Sequence, residues 1–164
     1  MKIAFVDVGG SAVDGFALCS KFCEENIPDI ELARLTAPDL LKIPVACKKA
    51  FNESADAIVA FATASGEEGK ALDLVSAKIL DVEVEAAKYA FFVVVFTDER
   101  SHGSLQAVAR EKLEAALVEL VRSARGGAPP VEAPQPEMPL PGLGTEPQEE
   151  SSGSEPLAEE HGLF

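Results

Sequence analysis

The chain has 164 residues, 28 acidic against 14 basic, with 47% hydrophobic content and a formal charge of −14; this suits one domain of ordinary size with a buried core. An acidic balance without a basic cluster argues against nucleic acid or an anionic membrane as the main partner. No run reaches the roughly 20 apolar residues of a membrane span, and residues 1–7 lack the basic start and long apolar stretch of a secretion signal, so the expected compartment is the cytoplasm, where an odd number of cysteines stays reduced.

In chain order, residues 2–7 (KIAFVD) form a short apolar run leading to Gly9-Gly10, the pattern of a buried strand followed by a turn. Ser11 then stands where it can cap a helix. Ala12, Phe16, Cys19, Cys23 and Ile27 recur every three or four residues, so the spacing predicts one apolar helical face, closed by Pro28. Cys19 and Cys23 are spaced like two metal ligands, but no further Cys or His lies near in sequence to complete a set; they read as small buried hydrophobes, as does Cys47.

Residues 30–35 roughly alternate apolar and polar side chains like a strand, 36–42 form a loop, and Pro44 falls in the first turn of a second helix, where proline is tolerated best. Cys47, Ala50 and Phe51 share that helix's apolar stripe. Residues 56–62 (DAIVAFA) supply a third strand and 63–69 (TASGEEG) a loop of small residues. A helix follows over about 70–88. Along it Leu72, Val75, Ile79, Val82 and Ala86 form one stripe, while Leu74, Leu80 and Val84 lie outside it, an apolar surface wide enough to point to a subunit interface. Residues 89–96 (YAFFVVVF) suit a parallel strand covered on both faces. A last helix over about 104–125 places Ala109, Leu113, Ala116, Leu117, Leu120 and Val121 on one side and stops at Gly126-Gly127.

The alternation βαβαβαβα with right-handed crossovers predicts a parallel α/β three-layer sandwich over residues 1–125, its four strand-end loops along one edge. Residues 126–164 differ in kind: they hold eight acidic residues, eight of the eleven prolines and no Lys or Arg. Such a segment has too little apolar surface to offset its ordering entropy and reads as a disordered tail. Its end, Leu163-Phe164 after a flexible spacer, has the form of a docking peptide, although disordered tails also end in apolar residues by chance.

No strong catalytic motif stands alone. Gly9-Gly10 is not the GxGxxG fingerprint, and no GxxxxGK[ST] run follows a strand. The predicted loops gather Asp7, Ser11, Thr36, Asp39, Thr63, Ser65, Thr97, Asp98 and His102 near one edge, where ligands bind in open α/β sheets. A solvated set of loops would show the same polar edge. His102 is the only histidine of the first 125 residues, and an unperturbed imidazole, with a pKa of about 6.5, is the side chain best suited to proton transfer near neutral pH. Lys48 and Lys49 could neutralise an anionic ligand or simply form the wet face of a helix.

One stretch carries a resemblance. Pro38, then Pro44-Val45-Ala46-Cys47-Lys48-Lys49, then the strand Asp56-Ala57-Ile58-Val59-Ala60-Phe61, resemble the archaeal type of riboflavin synthase, a branch of the lumazine synthase family. The resemblance implies a flavodoxin-like sandwich assembled into pentamers, with sites between neighbouring subunits. It also implies dismutation of two 6,7-dimethyl-8-ribityllumazine molecules to riboflavin and a ribitylaminopyrimidinedione. That chemistry needs positioning of two rings and proton transfer at an acidic methyl group.

Mapped onto this chain, the resemblance places substrate at Gly9, Gly10, Ser11, Thr36, Pro38, Pro44, Thr63, Ser65 and Thr97. Lys78, Asp98 and His102 are the groups expected to move protons. A divalent cation such as magnesium is left open as a cofactor. The chain departs from the family at Val8-Gly9-Gly10-Ser11-Ala12, where the family resembles TTFAR, losing an aromatic and an arginine. It departs again at Val75-Ser76-Ala77-Lys78, where a histidine is missing; Lys78 could substitute, but Asp81 and Glu85 beside it on the helix suggest a solvated ion-pair face. A non-catalytic oligomeric flavin- or lumazine-binding protein of the same fold is the alternative expectation.

Overall fold

The computed structural model describes residues 1–98 and 104–126. Its strands are β1 (Lys2–Val8), β2 (Glu31–Ala37), β3 (Ala57–Ala64) and β4 (Ala90–Phe96), and its helices α1 (Gly15–Asn26), α2 (Ile43–Asn52), α3 (Gly69–Ala86) and α4 (Leu105–Ala124). The strands form one all-parallel sheet in the order β2-β1-β3-β4. This is the expected α/β three-layer sandwich, with the flavodoxin-like strand order.

The two-residue period of each strand sorts the core. Odd-numbered side chains Ile3, Phe5, Val59, Phe61, Val93 and Val95 meet α1 and α4 on one face. Even-numbered Ala4, Val6, Ile58, Ala60 and Ala62 meet α2 and α3 on the other. β1 and β3 are therefore covered on both sides, which is why their sequences are almost continuously apolar. β2, at one edge, leaves Glu31, Arg34 and Thr36 exposed. Cys19, Cys23 and Cys47 are free thiols buried in these two clusters, as the apolar stripes predict.

Several boundaries differ from the expected ones. Ser11 does not cap the first helix: the cap is Asp14, whose carboxylate accepts from the Ala17 amide at 3.2 Å. Ser11 instead donates to the Val8 carbonyl at 2.9 Å, folding the loop back on itself, and Ala12 precedes the helix, exposed. Helix α3 stops at Ala86 rather than Lys88 because Ala87 turns into the left-handed region with φ of 51°. β2 and β3 run on to Ala37 and Ala64, so Thr36 and Thr63 are strand residues rather than loop residues. His102 and the expected tail with its terminal Leu163-Phe164 lie outside the described residues.

Candidate functional site

The strand order creates one place where neighbouring connections diverge. From β1 the chain crosses outward to β2 through α1 on one face. From β2 it returns past β1 to β3 through α2 on the opposite face. The loops after β1 and β3 thus part at the carboxyl ends of adjacent strands, the crevice where open α/β sheets bind ligands.

The first loop shapes this crevice through small residues. The Gly9 amide donates to the Ala37 carbonyl at 3.2 Å, tying the loop to the end of β2. Gly10 has φ of 80°, a conformation that a side chain disfavours, and no atom stands within 4 Å of where its Cβ would lie. The Ala12 amide approaches Thr63 Oγ1 at 3.5 Å, so the β1 loop rests on β3 across the crevice. Gly15 then begins α1 directly over the sheet: a Cβ there would lie 2.8 Å from Phe61 and 2.9 Å from Phe5 ring carbons. The absent side chain lets the helix start this close to the crevice floor.

On the β3 side, Ser65 and Glu68 close a capping box. The Glu68 carboxylate accepts from the Ser65 amide at 2.7 Å and from its hydroxyl at 3.2 Å. The Thr97 amide donates to the Ala64 carbonyl at 2.9 Å, extending β3–β4 pairing to the rim. Asp98 follows, exposed, with Oδ2 3.6 Å from the position a Cβ on Gly66 would take. The structure therefore brings Gly9, Gly10, Ser11, Thr63, Ser65, Thr97 and Asp98 along one rim, with Thr36 and Pro38 at the end of β2. Pro44 sits in the first turn of α2 at the same edge, but is buried.

Lys78 does not join them. It lies midway along α3, in a groove of about 530 Å³ between α2 and α3 whose lining includes Leu41, Val45, Lys48, Asp81 and Val82. Its ammonium donates to Asp81 at 2.8 Å, and that hydrogen bond, reinforced by the carboxylate's charge, raises its pKa. This is the ion-paired face suggested by the spacing of Lys78 and Asp81. Lys48 reaches Glu85 at 2.9 Å and ties α2 to α3.

An element that sequence reasoning missed supports the rim from below. Asp7, at 2% exposure, accepts from Arg34 Nη2 at 2.6 Å and from the Thr36 hydroxyl at 2.9 Å. Arg34 Nη1 also stands 3.6 Å from Asp14, and its guanidinium lies 5.4 Å from the centre of the Phe16 ring. The hydrogen bond to Asp7, together with the charges of Asp7 and Asp14, holds the Arg34 pKa above its ordinary value. One cation thus bridges the carboxylates at both ends of the first loop. The available signal was a lone acidic residue inside an apolar strand, with an arginine on the edge neighbour two residues before its register partner Thr36.

Chemically, the rim offers hydroxyls, glycine-rich backbone and exposed carboxylates, Asp98 and Glu68 among them. These can hydrogen-bond the edges and alcohols of a planar polar ligand. Among the described residues no group of three or more His, Cys, Asp and Glu side chains is arranged to hold a metal ion, and no helix is long and apolar enough to cross a membrane.

No model of a known protein family matches the chain, and no curated protein sequence matches it either. Among solved structures, it is similar to one described as the solution structure of a phosphate-loop protein, with a TM-score of 0.35 and 22% sequence identity, over 77% of this chain and 90% of that one.

Proposed function

We propose that this protein is a riboflavin synthase of the archaeal type, converting two molecules of 6,7-dimethyl-8-ribityllumazine into riboflavin and a ribitylaminopyrimidinedione. The observation that carries the reading is the strand-end crevice: Gly9, Gly10 and Ser11 face Thr63 and Ser65 across the β1–β3 switch point, beside the Pro38 to Lys49 segment whose sequence resembles that family. A loop open around Gly10 leaves room for a heteroaromatic ring, and the hydroxyls and backbone amides suit its ribityl chain. Asp98, exposed at the rim, is the group proposed to move a proton at the acidic methyl.

The same reading takes the protein to be a cytoplasmic homo-oligomer, a pentamer by resemblance. Exposed Leu41, Val45 and Leu74 support contact with a neighbouring subunit through the α2–α3 surface. Lys78 lines that groove, so in an assembly it would serve a site shared with the neighbour rather than the crevice of its own chain.

A second reading, a non-catalytic binding protein with the same crevice, is favoured by a specific observation. The described strand-end loops carry no aromatic ring to stack a substrate, and Arg34 is engaged by Asp7. Incubation of the purified full chain with 6,7-dimethyl-8-ribityllumazine, with and without magnesium, separates the two readings. Riboflavin appearing by absorbance and fluorescence supports the synthase. Saturable lumazine binding without turnover, in folded protein, supports the binder and rejects the enzyme.

A further inference from the structure

The sheet has two edges, and charge reaches them by different routes. β2 carries Glu31 and Arg34 in its own sequence. β4, Ala90–Phe96 (AFFVVVF), has no charge, proline or glycine in seven residues. An apolar edge of this kind is a template for pairing with any extended chain unless something interrupts it.

The ladder shows which groups point outward. The Tyr89 carbonyl accepts from the Ile58 amide at 3.0 Å and the Thr97 amide donates to the Ala64 carbonyl at 2.9 Å, so the odd-numbered residues of this stretch bond to β3. Ala90, Phe92, Val94 and Phe96 turn their N–H and C=O groups the other way, and among the described residues no strand pairs with that side. Two helices supply what the strand lacks. Glu83 of α3, half-buried, accepts from the Ala90 amide at 3.2 Å. Lys112 of α4, also half-buried, donates to the Val94 carbonyl at 3.3 Å. These helices lie on opposite faces of the sheet, so the edge is gripped from both sides.

We infer that Glu83 and Lys112 guard this edge, barring the addition of a further strand. A strand laid against β4 must place a carbonyl oxygen where the Glu83 carboxylate lies and an N–H where the Lys112 ammonium lies, because hydrogen-bonding partners come within about 3 Å of the same atoms. It must also displace both charges from their hydrogen bonds at an apolar surface, and burying a charge without a partner is costly. The guarded groups are four residues apart, so only Phe92 is left whole between them. That is shorter than the roughly 5 residues of an ordinary strand. The placement of Glu83 follows from the end of α3: the helix stops at Ala86, left-handed Ala87 turns the chain, and β4 begins beside the last helical turn.

The test is sedimentation velocity of the full chain and of a variant carrying both Glu83→Ala and Lys112→Ala, with hydrogen exchange read at the Phe92 and Val94 amides. The double variant is expected to self-associate roughly tenfold more tightly than the wild type, since no charge then has to be displaced. The two outward amides should gain protection as the associated fraction grows. Glu83→Gln with Lys112→Arg keeps an acceptor and a donor in place and should sediment like the wild type. A wild-type mass in the folded alanine variant, a higher mass without new protection at Phe92 and Val94, or equal association of the conservative pair overturns the inference. Should the alanine variant not fold, Lys112→Met decides, because it keeps the packing of the lysine stem: association with protection at Val94 supports the guard, and a wild-type mass overturns it.

Discussion

Arg34 on β2 holds Asp7 on β1 at 2.6 Å, and Asp7 is almost fully buried while Arg34 is half exposed. The asymmetry fixes what each substitution does. Arg34→Met leaves a buried carboxylate with only the Thr36 hydroxyl as a side-chain partner. Removing one member of a buried pair costs ~3 to 5 kcal/mol, and the exposure of Arg34 reduces that to about 2 to 3. Asp7→Asn with Arg34→Met should recover part of the loss, because no buried charge is then left behind. Urea unfolding of the three variants measures both; a single Arg34→Met within 0.5 kcal/mol of the wild type, on the order of a neutral surface change, would remove this account.

Gly15 and Gly10 should respond to alanine for different reasons. At Gly15 the new methyl meets the buried Phe5 and Phe61 rings at under 3 Å, and neither ring end is free to swing aside. Overpacking of this kind costs about 1 to 3 kcal/mol. At Gly10 space is open and the cost is the left-handed backbone alone, ~1 to 2 kcal/mol. The distinction shows in a Gly10→Asn variant, since asparagine tolerates that backbone and should retain most of the stability.

The buried thiols make stability fall at high pH. Burial pushes Cys47 up to about 12 and raises Cys19 as well, whereas an unfolded thiol ionises near ~8.5. Above that value the unfolded chain loses protons that the folded chain keeps. Stability is therefore full below about pH 8.5 and is lost as the pH rises toward the folded pKa, by about 1.4 kcal/mol per unit for each fully buried thiol. Thermal melts of wild type and Cys47→Ala between pH 8 and 10.5 should differ in slope, the variant being flatter. Equal slopes would contradict the burial of Cys47.

What was legible in the sequence follows from periodicity. The stripes of α2, α3 and α4 and the apolar runs of β1, β3 and β4 each encode their own burial, so the sandwich could be read one element at a time. The start of α1 could not: Ser11 and Asp14 are both good caps, and the choice depends on Gly10 turning left-handed and on Gly15 meeting two aromatic rings from distant strands. The Asp7–Arg34 pair was hidden for the same reason, because sequence spacing says nothing about residues 27 apart until the strand register is known. The rim was partly legible, since loops at strand ends follow from topology. Position along α3 shows the helical face of Lys78 but not its distance from the sheet edge, so its place in the α2–α3 groove, away from the rim, needed the structure.

Under the synthase reading, Asp98 and Lys78 should separate in one kinetic experiment. Asp98 stands at the crevice rim beside Gly66, so Asp98→Asn removes a proton carrier while keeping the shape and hydrogen-bonding edge of the side chain. Its kcat should fall about 10²- to 10⁴-fold with KM little changed, the size of a lost general acid or base. Lys78 lies in the α2–α3 groove, paired with Asp81, and cannot act in the crevice of its own chain from there. If the groove faces a neighbouring subunit, Lys78→Met should lower activity together with the assembled fraction, and activity per assembled subunit should show whether the lysine also meets substrate. Steady-state riboflavin formation and sedimentation on the same samples distinguish these cases. An Asp98→Asn enzyme with wild-type kcat would take proton transfer away from this carboxylate.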